Sequence, residues 1–459
     1  MRPRLALIME THGSTAGVQA LMNDRLPQLA ARVYQKPVQE ASEYAGVPLV
    51  IYRAPQSERR IFSANIGSTW LLANDAEALQ ACIDVRQGRG APMAKNPLLP
   101  EARKAVEAGD LFAFVNQTGA ARLTQFFTHL LLGKMLEGTP MAGLPEGLMG
   151  EVAQGTVEAI AYSTRFADGG VQDRYTVLGK PQAAEGLRAA LRHSQAITLE
   201  KSAALQIVPP EAQNVTLLQV DDPGEALEGV ERLVSAHLGV AQSFLFHKFF
   251  TGARKTFLGL EAGETAAATV GSEVVRYSVP SLGAAPEAEA TDAVWVIAAR
   301  NRQRLTQCAE RLLQQGGSTG RIKYQGVEMV SARDGKRAFA MLGDYLVLSK
   351  PEQVMRLIEA HAKNASWLTT DSFKTAKWPD QKLNGVLYGF DSVQEETAKM
   401  MQIAARRLKG DTQADPTSVL EKLPWAVSLT SLTERGISRV AHSPVGNFPL
   451  VASFADAIF

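Results

Sequence analysis

The glycine-rich stretch Thr11–Gly17 is the first part of the chain whose residue types could bind a ligand. It reads T-H-G-S-T-A-G and lies between an apolar run, Leu5–Glu10, and a helical pattern. Backbone N–H groups at a strand-to-helix turn can bind an anion such as phosphate. No lysine follows Gly17, so the P-loop pattern G-x-x-x-x-G-K-[ST] is absent, which favours a structural turn over a phosphate site. The candidate phosphate ligands are Gly13, Ser14, Thr15 and Gly17.

A phenylalanine-rich stretch, Gly239–Leu260, is the second candidate. Basic residues, among them Lys248 and Arg254, are interleaved with its aromatic residues. Two interpretations remain open. The phenylalanines form the core of this segment, or they form an apolar surface for a lipid, a membrane face or a protein partner. The candidate ligand or partner residues are Phe244, Phe246, Phe249, Phe250 and Phe257.

No motif of the chain predicts catalysis or metal binding. The seven histidines form no H-E-x-x-H pattern and no paired spacing of the kind that binds metals. The G-x-S-x-G pattern occurs once, at Gly316–Gly320, but it follows a predicted helix instead of a strand and therefore indicates a helix C-cap and turn. No pair of acidic residues suited to acid–base work stands out. We therefore expect no metal and no cofactor, and a protein that is not an enzyme. Cys82 and Cys308 fall on apolar helical positions and are expected to be buried small hydrophobic residues.

Composition limits the class of protein. The 459 residues are enough for two or three domains, and 46% hydrophobic with 21% charged residues is ordinary for a globular chain. The 48 basic residues balance 47 acidic ones, which argues against a nucleic-acid partner. No apolar run is long enough to span a membrane. Leu5–Met9 is too short for a signal peptide and reads as a first strand, which suggests a cytoplasmic protein or a targeting segment upstream.

Two stretches of the sequence, Tyr44–Ile83 and Tyr324–Ile358, repeat each other. Each contains a Tyr-x-Gly-Val strand, a hairpin and a helix. The glycines also correspond, Gly46 with Gly326 and Gly67 with Gly343. The sequence therefore predicts an internal duplication. Alternating apolar residues and turn signals predict strands, and three- and four-residue apolar steps predict helices.

The predicted fold class is α+β. Two homologous units, residues 1–195 and 286–459, would each form a mixed, mostly antiparallel sheet with helices on one face. A diverged partial unit, residues 196–285, would lie between them. Two apolar helices, Ala121–Leu136 and Thr397–Leu408, are predicted to cover the sheets.

These repeated motifs resemble a bacterial family known only as a domain of unknown function. The resemblance rests on the Tyr-x-Gly-Val strand, a hairpin ending in Leu-Val-Leu-Ser, a Pro-Glu helix and a following helix that begins Asp-Ser-Phe. It implies a duplicated envelope protein, secreted or held by an N-terminal membrane segment, and it implies no catalytic residues. The expected function is a non-enzymatic binding or scaffold protein of the cell envelope, with an apolar ligand or a protein partner. The alternative is an intracellular enzyme or nucleotide-binding protein that uses residues 11–17.

Overall fold

The computed structural model describes most of the chain, namely residues 4, 6–10, 15–107, 109–123, 148–167, 170–192, 198–261, 264–280, 291–315, 317–376, 378, 385–391, 425–444 and 446. The described residues form helices and two antiparallel sheets, which confirms the α+β fold class. Internal contacts divide the chain into a small unit, whose described residues run to Glu101, and a large unit, Ala102–Gly446. The predicted repeat boundaries at residues 195 and 285 concern sequence repetition and stay a prediction.

The small unit contains a five-stranded antiparallel sheet in the order β1-β5-β4-β3-β2. Its elements are β1 (Ala6–Glu10), α1 (Thr15–Tyr34), β2 (Val38–Tyr44), β3 (Val47–Arg53), β4 (Arg60–Ile66), β5 (Thr69–Ala73) and α2 (Ala76–Arg86), with α3 (Leu98–Ala105) at the boundary.

Local chemistry explains the turns of this unit. Ala45 and Gly46 join β2 to β3 with φ of 53° and 79°, as in the two-residue hairpin turn of type I′. Gly67, the first residue of the turn between β4 and β5, also has a positive φ, of 63°. Helix α2 begins after Asp75, whose carboxylate accepts a hydrogen bond from the Ala78 N–H at 3.0 Å.

Helices cover both faces of the small sheet, so the predicted placement of helices on one face is wrong. Leu49 and Ile51 of β3 share a core cluster with Leu79 and Ile83 of α2. The alternate residues of β3 share a second cluster with α1, in which Tyr52 packs near Leu26, Ala30 and Tyr34. A strand that is covered on both faces needs apolar residues at both odd and even positions, and the sequence V-P-L-V-I-Y has them.

The large unit contains a 13-stranded sheet in the order β12-β13-β14-β15-β11-β10-β9-β16-β17-β18-β8-β7-β6. Every strand pair described in it is antiparallel. Its first half has β6 (Leu111–Asn116), α4 (Leu148–Thr156), β7 (Val157–Ala167), β8 (Gly170–Gly179), α5 (Pro181–Ala190), α6 (Ala203–Ile207), β9 (Gln213–Gln219), α7 (Pro223–Ser235), α8 (Val240–Leu258) and β10 (Val270–Pro280).

The second half of the large unit completes this sheet. Its elements are β11 (Thr291–Ala299), α9 (Arg302–Gln314), β12 (Thr319–Tyr324), β13 (Val327–Ala332), β14 (Ala338–Leu342), β15 (Tyr345–Ser349), α10 (Pro351–Ala362), α11 (Asp371–Thr375), β16 (Gly385–Asp391), β17 (Ala426–Thr433) and β18 (Gly436–Ser443). Here too helices cover both faces, since α9 shares a core cluster with Val330 and Phe339, and α10 shares another with Met329 and Ala340.

The geometry of β1–β5 recurs in β11–β15. Both sets have the same strand order, and Gln325 and Gly326 repeat the positive φ pair at 46° and 86°. The tyrosine before each turn also makes the same kind of contact. Tyr44 donates its hydroxyl hydrogen to Asp84 near the end of α2, and Tyr324 donates to Glu359 near the end of α10.

The ladders β6-β7-β8 and β16-β17-β18 have the same register. Leu111 lies opposite Thr164, and Leu387 lies opposite Thr430 at the corresponding place. The two ladders join where β8 pairs with β18, around a local twofold near Val440. This geometry supports the duplication, which itself stays a prediction. Of the two predicted covering helices, only residues 121–123 lie within the described part, and they are helical.

The turn of β2 and β3 gives a test of the positive φ at Ala45. An alanine there adopts the left-handed conformation at a cost that asparagine largely avoids. We expect Ala45→Asn to stabilise the hairpin by about 0.5–1 kcal/mol. Native-state hydrogen exchange of the β2 and β3 amides measures this change. The control is Ala41→Asn, at an exposed position within β2, where no gain is expected. Equal protection in both variants would contradict the turn geometry.

Candidate functional site

Helices α7 and α8 form the walls of the candidate site. Asp222 caps α7 by accepting a hydrogen bond from the Glu225 N–H at 2.9 Å, and Pro223 occupies the first turn. Gly239 starts α8, and its N–H donates to the Gln242 side chain at 2.8 Å. These caps set where the two helices begin and so set the entrance of the site between them.

The end of α8 is anchored by α9. Arg311 donates to the carbonyl of Gly259 at 3.0 Å and to the Glu264 carboxylate at 2.9 Å. Gly259 has φ of 65°, and a Cβ there would lie 2.3 Å from the carbonyl oxygen of Cys308, so the position accepts only glycine. The Arg311 guanidinium, helped by the Glu261 N–H, lowers the pKa of Glu264 from 4.5 to about 2.

A groove of about 640 Å³ lies between α7 and α8. It opens to solvent along α8, and both charged and apolar side chains line it. Those that matter for recognition are Glu228, Glu231, Val240, Phe244, His247 and Arg254.

Both glutamates of the groove are paired with basic side chains, and Arg232 also lines the groove. Glu231 is only 12% exposed and accepts a 2.7 Å contact from His247 Nδ1. Arg254 lies 3.7 Å from the Glu231 carboxylate and 3.4 Å from that of Glu228. Among the described residues, no hydroxyl or thiol is hydrogen-bonded to His247, so the groove holds no assembled nucleophile–base pair. The groove therefore has a polar floor in which the carboxylates are paired.

The apolar wall of the groove comes from the first half of α8. Val240 is 92% exposed and Phe244, one turn later, is 60% exposed. Leu245 is also exposed, and the Lys248 ammonium lies 5.6 Å from the centre of the Phe244 ring. A water-facing apolar pair one helical turn apart is unfavourable unless something covers it.

The predicted phenylalanines have different environments. Phe244 faces solvent, whereas Phe246 is buried. The ring centre of Phe246 lies 5.7 Å from that of the half-buried Phe250. The side chains of Phe249 and Phe257 lie outside what the structure describes. Core packing and an apolar surface are therefore both present, on different faces of one helix.

The predicted phosphate residues are only partly described. Gly13 and Ser14 lie outside the described residues, Thr15 is the first residue of α1, and Gly17 lies in its first turn. The phosphate site therefore stays a prediction. Both cysteines are free, and burial raises the pKa of each thiol.

The acidic side of the groove was missed in the sequence. Glu228 and Glu231 are three residues apart on α7 and so lie on one face of that helix. This spacing was available as a signal, but only the packing of α7 beside α8 brings the carboxylates to Arg254 and His247. In the described part of the chain, no group of three potential metal ligands comes together, and no helix is both long and apolar enough to cross a bilayer.

Comparison with protein-family models, with curated proteins and with solved structures gives no match to this chain. The resemblance to the uncharacterised bacterial family therefore stays a prediction.

The ion pair that anchors α8 predicts a pH dependence. Because the pKa of Glu264 is lower in the folded state, its contribution is complete above about pH 4.5 and is lost as the pH falls towards about 2. We expect wild type to be more stable than Glu264→Gln at about pH 5.5, with a smaller difference at about pH 2.5. Urea unfolding midpoints at the two pH values measure this difference.

A matched control for this prediction is Glu261→Gln, which removes an exposed carboxylate from the same loop. A difference between wild type and Glu264→Gln that is constant with pH, or that Glu261→Gln reproduces, would contradict the assigned ion pair.

Proposed function

We propose that the chain is a non-enzymatic binding or scaffold protein, and that a protein partner packs on the apolar wall of the α7–α8 groove. The observation that carries the proposal is the exposure of Phe244 beside Val240 at the mouth of the groove. Full burial of a phenylalanine side chain is worth about 1.5–3 kcal/mol, so covering this wall would contribute substantially to binding.

The charges around the groove favour a protein over a lipid. A pocket for an acyl chain is lined mostly by apolar side chains, but here Glu231, His247 and Arg254 form the floor. The carboxylates of Glu228 and Glu231 pair with Arg254 and His247, so this floor presents paired charges instead of the basic cluster that an anionic membrane attracts. A protein segment with one apolar side chain for Phe244 and polar neighbours for the floor suits both features.

The proposed location in the bacterial envelope has a different basis. It rests on the sequence resemblance alone, and the groove neither requires nor opposes it. The binding role and the location are therefore independent parts of the proposal.

Substitution of Phe244 tests the proposed role. We expect Phe244→Asp to weaken the complex at least about tenfold, because it removes the apolar contact and adds a charge to the interface. The matched control is Phe166→Asp, since Phe166 is 64% exposed in the same unit but lies at the end of β7. Native mass spectrometry of protein purified from its own host, before and after organic extraction, measures what is bound.

The expected result is a bound polypeptide in wild type and in Phe166→Asp that is lost in Phe244→Asp. An extra mass that moves into the organic phase as a lipid would overturn the protein-partner proposal. So would a polypeptide that remains bound to Phe244→Asp.

A further inference from the structure

Strand β6 is the last strand at one edge of the 13-stranded sheet, as far as the described residues show. Its sequence, L-F-A-F-V-N, contains no charged residue and no proline, and Leu111 is 56% exposed. Within the described part of the chain, β6 pairs only with β7, on its inner side. Its outer row of backbone N–H and C=O groups can therefore accept another strand.

The opposite edge of the same sheet is protected. Strand β12 carries Arg321 and Lys323 two residues apart, and Arg321 is held in ion pairs with Glu310 and Glu328. Charges on an edge strand oppose the addition of a further strand, because pairing would bury them. Of the two edge strands in the described sheet, β12 thus carries charges that oppose pairing and β6 carries none.

The chain itself shows what covers an edge like that of β6. Strand β16 has the same place and register in its ladder, with Leu387 and Phe390 corresponding to Leu111 and Phe114. The outer edge of β16 is covered by β9, which runs antiparallel and places Val215 opposite Phe390. The covering strand is uncharged and buries alternate residues.

We propose that β6 binds an extended segment of a partner protein by antiparallel strand addition. The segment would resemble β9, with about six uncharged residues and apolar side chains at alternate positions. Its main-chain groups would pair with the outer edge of β6. By analogy with β9 on β16, one apolar side chain would lie opposite Phe114. This site is separate from the α7–α8 groove and does not depend on the function proposed for it.

The precedent within the chain favours a partner strand over a second copy of β6. Among the described strands, equivalent strands pair with each other at β8 and β18, which form the inner edges of the two ladders. The outer edge of β16 instead takes β9, whose sequence Q-N-V-T-L-L-Q is unlike that of β16. By analogy, we expect the outer edge of β6 to pair with a strand of different sequence and not with β6 of a second copy of the chain.

A fluorescent peptide with the sequence of residues 212–220, A-Q-N-V-T-L-L-Q-V, is the probe for this edge. We expect saturable binding to the full chain, measured by fluorescence anisotropy. The double substitution Leu111→Arg with Ala113→Lys gives β6 the charge spacing of β12 and is expected to weaken binding at least about tenfold. Leu111→Thr with Ala113→Thr keeps strand propensity without charge and should retain binding.

Two controls distinguish strand pairing from misfolding of a variant and from nonspecific binding of the peptide. Ile322→Lys adds a charge to β12 and should leave binding unchanged, and thermal unfolding shows whether each variant is folded. Successive residues of a strand point their N–H groups to opposite sides. Of two peptides methylated on alternate amide nitrogens, one should bind and the other should not.

Four results would each overturn the proposal. These are no saturable binding by the wild-type chain, binding that survives the added charges, equal binding of both methylated peptides, and a wild-type dimer that the added charges dissociate. The last result would assign the edge to a second copy of the chain.

Discussion

The hydrogen bonding of β9 to two distant strands holds the large unit together. On one side β9 pairs with β10, and on the other it pairs with β16, more than 150 residues further along the chain. Without β9, the ladder β16-β17-β18 would lose its link to β11–β15 and its outer backbone groups would be unpaired. Val215 and Leu217 of this strand are buried in the same core as Trp367 and Phe390, so main-chain pairing and apolar packing depend on one another.

Local features of the fold were predictable because neighbouring residues determine them. A hairpin was predicted in each repeated stretch, and Gly67 and Gly343 have the positive φ that its turn requires. The Tyr-x-Gly-Val motif was predicted to lie within a strand, but Gly46 and Gly326 form a tight turn there. The placement of helices was predicted wrongly, although V-P-L-V-I-Y has apolar residues at both odd and even positions, which is the pattern of a strand covered on both faces. The pairing of β8 with β18 joins residues about 260 positions apart, and no local pattern encodes such a pairing.

The candidate site also has a part that the sequence predicted and a part that only the packing determines. The phenylalanine-rich stretch was found from composition, but which of its rings face water depends on how α8 packs against its neighbours. Phe244 and Phe246 are two residues apart, which places them on different sides of a helix, yet the sequence does not tell which side is covered. Glu228 and Glu231 became part of the site only through the packing of α7, a tertiary effect.

The interleaved order of strands has a consequence for the chain as a single polypeptide. If the backbone were cut between β10 and β11, strands of each fragment would still pair with strands of the other fragment. Three seams, β10 with β11, β9 with β16 and β8 with β18, would join the fragments. The covalent link at that point is thus not what keeps the sheet whole, and the large unit is suited to reassembly from two separately made halves.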